Sequence, residues 1–162
     1  MSKQWVVVDT NIFCFTGYHA AGSEDVHGRD YLYKGGEACV FLQRMVEYCD
    51  EYGLAVDDDA SLILEEYQQK IPRDSFGYWA FRQLTTRIPD KVRSFRPRNP
   101  DWLDALEDSS ELDKHDRRFL ATTLATPDKI LVSEDTVFHK NANLLRGKGV
   151  QAYDVEEAND AL

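Results

Sequence analysis

Apolar and polar positions alternate along this chain in short blocks, and the blocks predict strands separated by helices. Residues 4–8, Gln4-Trp5-Val6-Val7-Val8, form a brief β-branched run that predicts a strand. Five glycines between 16 and 36 predict a long loop there. Val40, Phe41, Met45, Val46 and Cys49 fall on one helical face, predicting a helix from Glu37 to Tyr52 that Gly53 ends. Leu54-Ala55-Val56 predicts a second strand, followed by Asp57, Asp58 and Asp59, one of which can cap the next helix. That helix is expected from Ala60 to Ile71, where Pro72 stops it, and another from Ser75 to Arg87.

Three prolines make 88–100 a loop with a short strand at 91–95, and Asn99 or Asp101 opens a short helix through Leu106. Asp113 to Ala125 reads as a helix with Phe119, Leu120, Thr123 and Leu124 inward, and Lys129 to Val132 as a strand. A helix over 135–146, a strand over 150–153 and a tail helix over 154–162 complete the pattern. Strands alternating with helices predict a parallel, helix-covered sheet. At 162 residues the chain fits one domain spanning 1–162.

The strands end in acids. Val8 leads into Asp9-Thr10-Asn11, and Val132 into Ser133-Glu134-Asp135. Ligands of open α/β sheets bind beyond the carboxyl ends of the strands, so Asp9 and Asp135 are expected to meet there. Two further acids border buried helical faces: Glu66, spaced three and four residues from Ile63 and Leu62, and Asp116, three and four before Phe119 and Leu120. Glu65 is the alternate to Glu66, and Asp113, one turn before Asp116, the alternate to Asp116. Clustered carboxylates repel unless a cation or proton sits between them. Carboxylate oxygens suit Mg²⁺ or Mn²⁺, and four of them suffice for one or two ions. Each acid also has a plainer reading: Asp9 and Asp135 as caps, Asp116 as a surface partner of Arg117 or Lys114, His115 as an ordinary edge histidine.

Composition adjusts this picture. The apolar fraction of 43% is that of an ordinary soluble protein. No run approaches the ~20 apolar residues of a membrane span, and no basic-then-apolar leader opens the chain, so a cytoplasmic protein without membrane partners is expected. Cys14, Cys39 and Cys49 form no metal-binding pair and are expected as free, mostly buried thiols. The net charge of −10 suits nucleic acid poorly, though acids at a metal site inflate it. Arg82, Arg87, Lys91, Arg93, Arg96 and Arg98 make 82–98 a basic segment, either a solvated face or a phosphate-tracking patch.

Val8-Asp9-Thr10-Asn11, Ile63-Leu64-Glu65-Glu66-Tyr67, Asp116-Arg117-Arg118-Phe119-Leu120-Ala121 and Ser133-Glu134-Asp135 with Phe138 together resemble the PIN-domain family of metal-dependent ribonucleases. The resemblance covers nearly the whole chain and rests on order and spacing, since no single motif is specific. It implies an α/β fold, a three-layer α/β/α sandwich with a central, mostly parallel sheet of four or five strands. It also implies an acidic pocket binding Mg²⁺ or Mn²⁺ through Asp9, Glu66, Asp116 and Asp135, with Asn11 and Ser133 supporting them. The implied activity is hydrolysis of single-stranded or looped RNA to 5′-phosphate and 3′-hydroxyl ends, with Lys34, Arg73, Arg82 and Arg96 as candidate backbone contacts. Many small members are toxins neutralised by an antitoxin, and dimers are common, so an antitoxin or other protein partner and a homodimer belong to the expectation. The chain departs from small toxins in its long 16–36 segment. Two other readings compete. One is a catalytically silent PIN-like binding module in a regulatory or defence complex. The other is an aspartyl-phosphate phosphatase, which wants a second acid where Asn11 stands.

Overall fold

A computed structural model describes residues 2–16, 28–48, 50–58, 61–88, 90–109 and 112–162. Five parallel strands, β1 (Gln4–Val8), β2 (Tyr52–Asp57), β3 (Val92–Phe95), β4 (Ile130–Val132) and β5 (Gln151–Tyr153), form one sheet in the order β3-β2-β1-β4-β5. Val6, Val7 and Val8 are fully buried, as a central strand covered on both faces requires. The described helices are α1 (Thr10–Phe15), α2 (Gly28–Glu47), α3 (Leu62–Lys70), α4 (Phe76–Arg82), α5 (Asp101–Ser109), α6 (Lys114–Ala125), α7 (Thr136–Lys140), α8 (Ala142–Gly147) and α9 (Val155–Ala161).

The chain winds outward from β1 through β2 to β3, then crosses back over β1 to reach β4 and β5. Parallel crossovers are right-handed, so this reversal sends the crossover helices before β3 to one face and those between β3 and β5 to the other, while α9, after the last strand, packs on α2. The contacts agree: α1, α2 and α4 pack together, while α6 lies on β1, β2 and β4 beside α5. The result is an α/β/α sandwich whose strand order reverses between β1 and β4. Their pairing, Val8 opposite Val132, sets the next residues of both strands side by side. Among the described residues no helix is long and apolar enough to cross a membrane.

Several boundaries differ from the sequence expectation. Helix α2 starts at Gly28, so 28–36 is helical, and of the expected 16–36 loop only 17–27 remains, outside the described residues. Gly53 does not end a helix; it sits inside β2. A side chain there would meet the Trp5 ring at 2.5 Å, so glycine is required by close approach. Gly77 plays the same part between helices: a Cβ would lie 2.0 Å from the Phe13 carbonyl oxygen, so glycine lets α4 press on α1. The helix expected over 75–87 changes at Gln83 into a π-turn, Gln83–Arg87. The helix expected over 135–146 is two, split at Asn141. Cys14 and Cys39 are free but only half-buried, and Cys49 lies outside the described residues.

Candidate active site: an acidic cleft at the β1/β4 reversal

A cleft of about 290 Å³ opens where the strand order reverses. Asp9, Glu66, Asp116 and Asp135 all line it, with Asp113, Thr10, Asn11, Cys14, Lys70, His115 and Phe119. Four separate elements thus deliver the four acids singled out in the sequence. Glu65 does not join them; it is exposed on α3, one residue off the buried face that Ile63, Glu66 and Tyr67 share.

Asp9 leaves β1 buried, 6% exposed. The Ser133 hydroxyl donates to its Oδ2 at 2.6 Å, and the Asn11 amide donates to the same oxygen at 3.2 Å. Ser133 in turn accepts the Asp135 backbone N–H at 3.0 Å. The two strand ends are therefore laced together through Asn11 and Ser133. Tyr67 ties α3 to the same end of β1: its buried hydroxyl donates to the Val8 carbonyl. Burial and the neighbouring Asp9, Glu66 and Asp57 raise the Tyr67 pKa well above the ordinary phenol value.

Glu66 is the best-satisfied acid. Its Oε1 accepts from Thr10 Oγ1 at 2.7 Å and from Lys70 Nζ at 3.2 Å. His115 Nδ1 lies 3.3 Å from its Oε2. Lys70 and His115 were not singled out as site residues, although Lys70 stands one helical turn from Glu66 and His115 directly precedes Asp116.

Among the described residues Asp9 and Asp116 have no cation paired with them. Burial pushes the Asp9 carboxyl up to about 6, against the Ser133 and Asn11 hydrogen bonds and with help from Asp135 and Glu66. Asp116 is pushed up to about 7 by partial burial, then by Asp135, Asp113 and Asp9. Asp135 acts on both Asp9 and Asp116, and Asp9 on Asp116, which ties the three to one electrostatic centre. Asp135 also caps α7, its Oδ1 accepting the Val137 N–H at 2.9 Å. Asp113 caps α6, its Oδ1 taking the His115 and Asp116 N–H groups at 2.7 and 2.9 Å. Asp113 lines the rim, is exposed, and spends one oxygen on the helix, whereas Asp116 projects from α6 with no such duty. Cys14, pushed up to about 11 by burial and by Asp9, is a thiol and no nucleophile at neutral pH.

This donor set of carboxylate oxygens fits a hard divalent cation. Among the described residues, no three His, Cys, Asp or Glu side chains are already closed around a single point.

The expected basic contacts lie elsewhere. Lys34 is paired with Glu134, which also accepts the Val155 N–H at 2.9 Å, so this cation clamps α2 to the β4–α7 segment. Arg73, Arg82 and Arg96 are exposed and none lines the acidic cleft. Within the basic segment, Lys91 is buried and donates to the Tyr48 and Tyr52 carbonyls, and Arg93 stacks on Trp5 and Phe95. The run of charge is thus partly structural. Compared with known proteins, the chain matches no family model, no curated protein and no solved structure.

Proposed function

We propose that the chain is a metal-dependent endoribonuclease of PIN-like design, cutting single-stranded or looped RNA to 5′-phosphate and 3′-hydroxyl ends. One observation carries this reading: Asp9, Asp116 and Asp135, from three elements, line one open cleft at the strand reversal, where burial and the neighbouring carboxylates raise Asp9 and Asp116. Such a grouping is costly unless a cation completes it. Asp9, Asp116 and Asp135 would hold Mg²⁺ or Mn²⁺. The bound ion would supply a water of lowered pKa and charge neutralisation at the scissile phosphate.

The chain's own residues do the rest. Ser133 and Asn11 aim Asp9 by occupying its Oδ2, which fixes the most deeply buried of the four acids. Glu66 anchors Lys70 and His115 at the mouth of the cleft. There Lys70 Nζ, largely exposed, binds a phosphate oxygen and steadies charge on the departing 3′-oxygen. Phe119 and the buried strand ends keep bulk water from the floor. The test is cleavage of single-stranded RNA in Mn²⁺, with end analysis of the products. Asp9→Asn is expected to remove cleavage while circular dichroism stays unchanged; full activity in that variant overturns the proposal.

A silent binding module built on the same acids is the second reading. It predicts a Mn²⁺-induced rise in melting temperature that Asp9→Asn removes, with no cleavage of any single-stranded RNA or DNA.

A further inference from the structure

A second cleft, of about 250 Å³, lies across α6 from the first, and Asp57, Pro97, Asn99, Lys114, Arg117 and Arg118 line it. At about 100° per residue, Lys114, Arg117 and Arg118 point from one side of α6, while His115, Asp116 and Phe119 point from the other. The same two turns of helix therefore serve both clefts. Arg117 is committed: Asp104 (2.6 Å) and Glu107 pair with its guanidinium, and its Nε donates to Asn99 Oδ1 at 3.4 Å. Among the described residues Lys114 and Arg118 have no ion-pair partner.

The inner end of this cleft holds an unexplained group. Asp57, at the end of β2, is fully buried; its Oδ1 accepts the Ile63 N–H at 2.8 Å, but Oδ2 has no hydrogen-bond partner among the described residues. A buried acceptor without a donor is expensive, and it marks where a ligand's O–H or N–H belongs. An occupant must therefore present anionic oxygens to Lys114 and Arg118 and a hydroxyl or amine to Asp57. The volume is at the small end for ligand pockets, suited to one small unit. A ribonucleotide within a strand meets all three demands, and its 2′-hydroxyl is the group DNA lacks.

We propose that this basic cleft binds a nucleotide of the substrate strand neighbouring the one cut, with Lys114 and Arg118 on its phosphate and Asp57 accepting the ribose 2′-hydroxyl, so that the protein selects RNA over DNA. The inference rests on the nuclease reading for its substrate but not for its measurement. It also explains how a chain of net charge −10 takes up a polyanion: two uncommitted cations stand one helix width from the acids.

The probe is a fluorescein-labelled oligouridylate of about 12 nucleotides and its 2′-deoxy counterpart, titrated by anisotropy in EDTA, where cleavage is stopped. The unaltered protein is expected to bind the RNA about tenfold more tightly than the DNA, the scale of one hydrogen bond to a charged acceptor. Asp57→Asn, which replaces the charged acceptor with an amide that can only donate there, is expected to weaken the preference and leave DNA affinity unchanged. Lys114→Gln with Arg118→Gln is expected to weaken both probes alike and to lower the slope of log affinity against log salt by about 0.7, the share of one phosphate. Should Asp57→Asn fail to fold, single 2′-deoxy substitutions walked along the RNA test the same contact on the unaltered protein, with one position costing about tenfold. Equal binding of RNA and DNA, or an unchanged salt slope in the double variant, overturns the proposal. Cleavage in Mn²⁺ is scored separately. Cleavage without RNA preference defeats this cleft alone, and RNA preference without cleavage defeats the nuclease reading alone.

Discussion

Two clefts of similar size flank α6, about 290 and 250 Å³, and their chemistry is opposite. The first gathers carboxylates, of which Asp9 and Asp116 are raised towards neutrality by burial and then by neighbouring negative charge. The second gathers cations around a single buried carboxylate. One short stretch, Asp113-Lys114-His115-Asp116-Arg117-Arg118, contributes acids to the first and bases to the second, sorted by helical periodicity. A formal charge summed over the chain hides this division. For a binding site the arrangement of charge on either side of a helix decides more than its total.

The contrast is broken most severely by Asp9→Asn. Cleavage is expected to fall about a thousandfold or more, read by gel quantification in Mn²⁺. RNA affinity in EDTA should stay within about twofold, because the second cleft is intact. A joint loss of both would merge the two clefts into one functional unit.

The next effect is on stability without metal. Asp9 and Asp116 have folded pKa values raised from 3.8 to about 6 and about 7, so the folded state holds more protons than the unfolded state between those limits. Their contribution to stability therefore declines as pH rises from about 4 to about 7. For Asp9 the shift corresponds to roughly 3 kcal/mol. Denaturant melts in EDTA should show Asp9→Asn more stable than the unaltered protein at pH 8 by up to about that amount. The gap should close near pH 4. A gap that widens on acidification would show that Asp9 is stabilised as a carboxylate, and the cation requirement would fall with it. By the same sign, Mn²⁺ protection should weaken as pH drops below 7, since protons compete for the same oxygens.

A smaller change sharpens the difference between the clefts. Lys114→Gln with Arg118→Gln is expected to raise KM about tenfold while kcat holds within about twofold. An equal loss in kcat would place these cations in the chemical step. Asp113→Ala should remove the α6 cap at a cost of about 1 kcal/mol. It should leave cleavage nearly unchanged, whereas Asp116→Asn should nearly abolish it; the reverse result would exchange their roles. Glu65→Gln is expected to change neither melting temperature nor rate, because the side chain faces solvent.

Much of the frame was legible beforehand. Val6-Val7-Val8 and Ile130-Leu131-Val132 announced buried strands, and Asp9 and Asp135 stood at their ends. Glu66 and Asp116 were visible as acids beside apolar helical positions, which a local period of 3.6 reveals. Gly53 misled because glycine signals a helix stop as readily as it signals a close approach, and only the Trp5 ring packed across from it distinguishes them. Gly28 to Gly36 misled because helix α2 is held by tertiary contact with α1, α4 and α9.

The chain's own pattern determined which segments are strands and helices and which acids stand at their inner ends, because those signals are carried by neighbours a few residues apart. Only the tertiary structure decided that Glu66 is met by Thr10, Lys70 and His115, that Asp9 is met by neutral donors alone, and that Asp57 shares a cleft with Lys114 and Arg118. Desolvation and charge repulsion depend on distances between groups that lie up to 126 positions apart along the chain, as Asp9 and Asp135 do.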